Sequence, residues 1–235
     1  MHSLNRLARI AAVLYLLIAV IGPFSIIYVP STLVVAGDAA ATTSNLAAST
    51  GLFQAGLVGY LIIFLAEIVL TVILFDLFKA VDHTLSMTAM AARLAMTIIH
   101  GLNLLSLFVV SLLASGAAYL SVFDPAQLDA LVLLLFNAHD LGYTIGIVFL
   151  SLHVMVLGYL VYQSGFLPQV LGILLVLAGL GYVIDSAGLL FFDSYLTTPF
   201  YVAIPIAIAE VAFPLWLLIK GVKEEALPKA APQPA

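Results

Sequence analysis

The chain has no cysteine among its 235 residues. That excludes disulfides, thiolate metal sites and cysteine nucleophiles. Charge is nearly as scarce, since Asp, Glu, Lys and Arg make up 8% of the residues, where a soluble domain carries about 25%. The 7 Lys+Arg form no basic cluster on a polar face, which argues against nucleic acid as a partner. The net charge of −5 says little, because the few charges are spread over loops and helix interiors. Strand-like alternation broken by turn signals is also missing, so a lipid-facing barrel is not indicated.

What is abundant is hydrocarbon. Hydrophobic residues make up 64% of the chain and the mean hydropathy is +1.24. Such a chain cannot cover its own surface in water, so its solvent is largely lipid. Six stretches reach the roughly 20 apolar residues a spanning helix needs: 7–28, 53–78, 87–112, 138–163, 168–191 and 199–219. The expected fold is all-α, a polytopic bundle of six transmembrane helices. Residues 1–223 form one membrane domain, and an Ala- and Pro-rich tail over 224–235 is expected to be disordered. Arg6 and Arg9 ahead of the first apolar run also describe a signal peptide. The run continues to Val29, longer than a usual signal core, so a retained helix is expected.

Arg6, Arg9, Lys79, Lys220, Lys223 and Lys229 fall on one side of a six-span path, and Arg93 lies at the same end of its helix. The other side carries Asp38, Asp124, Asp129 and Asp193 and no basic residue. The positive-inside rule then puts both termini in the cytoplasm of a cell with this protein in its cytoplasmic membrane. Gly37-Asp38 before AAATTSNLAAST marks a short helix over the outer mouth, and Asp124-Pro125 marks a helix start. A helix from Pro125 to Gln163 would be about 58 Å long at 1.5 Å per residue. That is nearly twice the hydrocarbon thickness, so it either projects or breaks, with the break expected at Asn137–Gly142. Gly-Tyr recurs at 59–60, 142–143, 158–159 and 181–182, a packing grammar of close helix approach with bridging hydroxyls.

These residues resemble the DUF4386 family of bacterial multi-pass membrane proteins. The matching stretches are GDAAAT at 37–42, Arg93 followed by Asn103-Leu104-Leu105, and His139, Tyr143, Gly146 and His153. The run from Gly158 to Tyr182 with Asp185-Ser186 belongs to the same pattern. The resemblance covers most of residues 7–221. It implies a membrane protein and no particular reaction.

Ionisable groups in hydrocarbon are costly, about 2.5–3.5 kcal/mol at a helix centre on insertion scales, so they face one another or a wet cavity. Depth sorts them into two groups. Glu67, Arg93, His100, His153 and Glu210 lie at mid-membrane or in its inner half, as a candidate ligand or proton site. His139, Asp140, Tyr143 and Asp185 lie toward the outer mouth. Arg93, Thr97, His100, Asn103 and Ser106 form one helical stripe; His139, Tyr143, Gly146 and His153 form another. His139 and His153 are about 21 Å apart along their helix and cannot ligate one metal. Arg93 cannot discharge itself and needs an acceptor, for which Glu67 or Glu210 is expected. Pro205 and Pro214 flank Glu210 and remove helix amides, so kinks are expected on both sides of it.

Four function classes follow. The favoured one is binding or translocation of a small ligand, ion or proton, with Glu67, Glu210 and His153 changing protonation, His being the natural switch near neutral pH and buried carboxylates being raised into that range. The second is a membrane enzyme acting on a lipid-like substrate, with a metal version built on Glu67, His100, His153 and Glu210 or a metal-free pair of His139 and Asp185. The third is haem binding by two histidines on one helix, for which His100 supplies at most one bis-histidine site. The fourth is a structural partner without chemistry. No cofactor or resident metal is assigned, and the partners expected are the bilayer and a small or lipid-like ligand.

Overall fold

The computed structural model describes residues 4–223. The tail expected to be disordered, with Lys229, lies outside the described residues. The described chain is helical, with no strand among its described residues. The first helical run holds α1 (Leu4–Gly22), a π-helical stretch over Pro23–Tyr28 and α2 (Val29–Leu33). It is followed by α3 (Ala39–Ala48), α4 (Thr50–Phe78) and α5 (His83–Leu113). A 3-10 turn over Ala118–Val122 then leads to α6 (Pro125–Gln163), α7 (Gln169–Phe191) and α8 (Phe200–Ile219). Six of these runs are long and apolar enough to cross a membrane, matching the six expected spans to within a few residues at most ends. Large apolar side chains such as Leu65, Phe191 and Ile219 stand exposed, as lipid-facing positions do.

Local chemistry sets the boundaries. Pro23 cannot donate the amide a regular turn needs, and the ladder widens, with the Val29 N–H donating to the carbonyl of Phe24 five residues back. Asp38 caps α3 by accepting from the Ala41 N–H at 2.9 Å, after a turn that Gly37 makes at φ 75°. Asp82 does the same for α5 through the Leu85 N–H at 2.8 Å. At the start of α6, the Gln127 side chain accepts from the Asp124 N–H at 3.0 Å, the return half of a capping box.

One expectation fails. The structure carries α6 unbroken through Asn137–Gly142 for 39 residues. The segment contains no proline after Pro125, and its polar groups are met by side chains of a neighbouring helix, so no backbone bond has to be surrendered.

The fold divides into two compact units. One consists of 4–16, 68–96 and 147–223 and the other of 17–67 and 97–146. In the first, α6 and α7 meet backbone to backbone. A methyl on Gly172 would lie 2.6 Å from the Gly158 carbonyl oxygen and 2.6 Å from the Tyr162 amide nitrogen. This unit also gathers four chain segments on one face. Asn5 accepts from the Val222 N–H at 2.8 Å, the Lys223 N–H donates to the Phe166 carbonyl at 3.1 Å, and the Phe166 and Phe78 rings pack at 5.6 Å. The start of α1, the α4–α5 turn, the α6–α7 loop and the end of α8 therefore lie together. In the second unit, Val29, Leu33, Leu46, Phe53, Leu104 and Phe136 belong to one apolar core.

Candidate functional site

Arg93 stands on α5 and is 3% exposed. Its NH1 nitrogen donates to Nε2 of His153 at 3.0 Å and to the Tyr15 hydroxyl at 3.1 Å. The guanidinium carbon lies 5.0 Å from the centre of the Tyr15 ring, within cation–π range. Tyr15 is held in turn by an edge-on contact with Phe213 of α8.

His153 is 1% exposed, and its partners settle its tautomer. A guanidinium only donates, so Nε2 accepts; the Ala89 carbonyl only accepts, so Nδ1–H donates to it at 2.9 Å. His153 is thus a neutral ring with both nitrogens used. Beside it lies a cavity of ≈ 10 Å³ bordered by Thr71, Phe75, Ser86 and Leu157, room for about one water. Ser86 spends its hydroxyl on the Phe75 carbonyl at 3.1 Å.

A second polar cluster forms in the other unit. His100 donates Nε2–H to the Tyr143 carbonyl at 2.9 Å, and its ring stacks on the Tyr143 ring at 4.4 Å and 8°. Gly146 is the seat of that ring, since a methyl there would run into it. One turn earlier, Gly142 leaves the corresponding hollow for the Asn103 amide. Asn103 Nδ2 donates to the His139 carbonyl at 2.7 Å. The His139 ring lies within 3.1 Å of that amide nitrogen and 3.3 Å of the Tyr60 hydroxyl. These bonds tie α6 to Asn103 and Tyr60 at His139, inside the segment where the break was expected.

A family model for DUF4386, a domain of unknown function, matches residues 10–221. The chain belongs to the DUF4386 family. An uncharacterized protein of Archaeoglobus fulgidus is 31% identical over 172 residues, covering 71% of this chain and 84% of its own. No solved structure matches the chain. The family, the archaeal relative and the six apolar helices identify a multi-pass membrane protein of a family without an assigned activity.

Within this family member Arg93 and His153 of the expected inner group are brought together. Glu67 is buried on α4 at 6% exposure, one turn before Thr71 of the cavity wall. Glu210 faces outward and accepts a very close bond from Tyr182 of α7. Its helix holds Pro205 and Pro214 within one continuous run. His100, expected with the inner group, instead pairs with Tyr143, expected at the outer mouth. His139 is buried at 4% exposure, while Asp140 is exposed. Asp185 accepts from the Tyr195 hydroxyl at 2.8 Å and from Thr198 at 3.0 Å, clamping the α7–α8 loop. Among the described residues no three His, Asp or Glu side chains gather as metal ligands.

Sequence reasoning missed Tyr15, Tyr60 and Tyr195 as site members. Tyr60 was marked only by its Gly-Tyr pair. The available signal for Tyr15 was a phenol tip in the middle of an apolar run, which in hydrocarbon needs a partner.

Proposed function

We propose that this protein binds or translocates a proton or small ion at an intramembrane site built on Arg93 and His153. Glu67, Glu210 and His100 are the further ionisable groups of the proposal. The observation that carries it is the bond from the Arg93 guanidinium to Nε2 of His153. A proton can enter Nε2 only when the Arg93 N–H leaves it. An anion arriving at Arg93 would draw that N–H away and open Nε2, so the geometry couples anion arrival to protonation. The ≈ 10 Å³ cavity favours a proton, water or small ion over an organic ligand. The gathering of Arg6, Arg9, Lys79, Lys220 and Lys223 at the face where both described ends meet supports a cytoplasmic assignment of that face, and the bacterial-type cytoplasmic membrane as location.

A purely structural tie is the competing reading, favoured by the full use of both His153 nitrogens. Proteoliposomes containing a pH-sensitive dye separate the two. Under an imposed pH gradient with chloride or nitrate present, the wild type is expected to relax the gradient, and His153→Gln to slow it at least tenfold while unfolding like the wild type. Equal rates in wild type, His153→Gln and Glu67→Gln vesicles refute the transport reading.

A further inference from the structure

The face that collects the chain ends carries a groove of ≈ 550 Å³ lined by Asn5, Arg6, Arg9, Ile10, Val13, Leu14 and Lys220. Its volume falls in the range of small-molecule sites. Two features make it more than a basic surface. First, Arg6, Arg9, Ile10, Val13 and Leu14 follow at intervals of three, one, three and one, which places them on a single face of α1. The cations occupy the end of that face, and the apolar side chains continue it, the whole stripe from Arg6 to Leu14 running about 12 Å. Second, Lys220 is brought to the same groove from the other end of the chain by the bond from the Val222 N–H to Asn5. Gly221 permits this at φ 65°, and a methyl there would run into the Asn5 side chain.

We infer that this groove is a binding site for one anionic phospholipid, its phosphate between Arg6, Arg9 and Lys220 and an acyl chain along Ile10, Val13 and Leu14. Charge complementarity selects the headgroup, and the order of the stripe selects a lipid. Cations sit where headgroups lie, and the wall beyond them is apolar and open, with Ile10 39% and Val13 56% exposed. A soluble phosphate would gain nothing from that wall. The site is independent of Arg93 and His153, so it stands or falls apart from the transport reading.

Trp216 is the chain's single tryptophan, one turn before Lys220, whose N–H donates to its carbonyl at 2.8 Å. It is a built-in probe. The full chain is reconstituted in phosphatidylcholine vesicles, and Trp216 quenching is followed as dibrominated phosphatidylglycerol or dibrominated phosphatidylcholine is added. Each basic residue near a membrane surface favours anionic lipid about fivefold. The wild type is expected to prefer phosphatidylglycerol by at least about that factor. The variant R6Q/R9Q/K220Q is expected to show no preference, and R6K/R9K to keep it. If the triple variant loses the wild-type quench by brominated phosphatidylcholine, Arg9→Gln alone is read, with a several-fold drop in preference expected. Equal quenching by both lipids, a preference that survives these changes, or one abolished by millimolar inorganic phosphate at constant ionic strength would overturn the assignment.

Discussion

Replacing His153 with leucine tests the buried pair most directly. The two side chains are similar in size, so packing changes little, and the loss is polar. The Nδ1–H bond to Ala89 is a neutral interhelical bond, worth about 0.6 kcal/mol on average in a membrane protein and about 1.7 kcal/mol at most. The Arg93 bond to Nε2 involves a charge and is worth about 1.5–3 kcal/mol. The second term decides the outcome, because it belongs to a charged group only 3% exposed. The expected cost of His153→Leu is therefore about 2–4 kcal/mol. Arg93→Met keeps the apolar stem and removes the charge. In the double variant the penalty of a stranded donor disappears, so the two costs should fall short of their sum by about 1.5–3 kcal/mol. Reversible unfolding in mixed micelles, followed by circular dichroism as the fraction of denaturing detergent rises, measures all four corners of the cycle. A coupling below about 0.5 kcal/mol would refute the pairing as an energetic feature.

Four further outcomes follow from the geometry. Gly146→Ala should cost about 1–3 kcal/mol in the same assay by driving a methyl into the His100 ring, and His100→Ala in the same chain should recover most of it. Gly172→Ala should cost at least as much, since its methyl meets backbone, whereas Gly101→Ala, with open space around it, should be neutral or stabilising. Asp38→Ala should remove about 0.5–2 kcal/mol of capping, visible as faster amide exchange confined to Ala39–Ala48. The Tyr195 hydroxyl is pushed up to about 12 by partial burial and by its bond to the Asp185 carboxylate. A raised tyrosine favours the folded loop below the ordinary value near 10 and loses that advantage as pH climbs toward 12. The ultraviolet titration of wild type minus Tyr195→Phe should show a tyrosine ionising well above 10, and a midpoint near 10 would contradict the clamp.

The elements were readable where the signal is local. Apolar run length located the six spans, and local capping signals, such as Asp38, which accepts from the Ala41 N–H, located the starts of α3 and α6. Rotation about the helix axis was not readable. Glu210 stands among apolar residues just as Glu67 does, yet Glu67 is buried and Glu210 is exposed beside Tyr182. Nothing within α8 distinguishes its faces, since it is apolar all round. The continuity of α6 failed for a related reason. Asn137–Gly142 carries the polarity of a break, and the group that satisfies it is Asn103, 36 residues away from His139. Tyr15 escaped notice because its partner lies 78 residues along the chain.

The three membrane histidines differ in what their partners permit. His100 donates to a carbonyl and is held by stacking on Tyr143. His139 shares an amide and a phenol, neutral groups that accommodate either tautomer. Such partners fix helix positions and leave no charge to respond to. His153 alone among these described rings accepts from a fixed cation. Its occupancy by a proton and the placement of the Arg93 N–H are mutually exclusive, so a change at either atom is felt at the other. That exclusivity separates a chemically responsive group from a merely buried one, and it makes His153, on α6 with the two glycine-seated contacts upstream of it, the residue on which the proposed ion or proton site is tested.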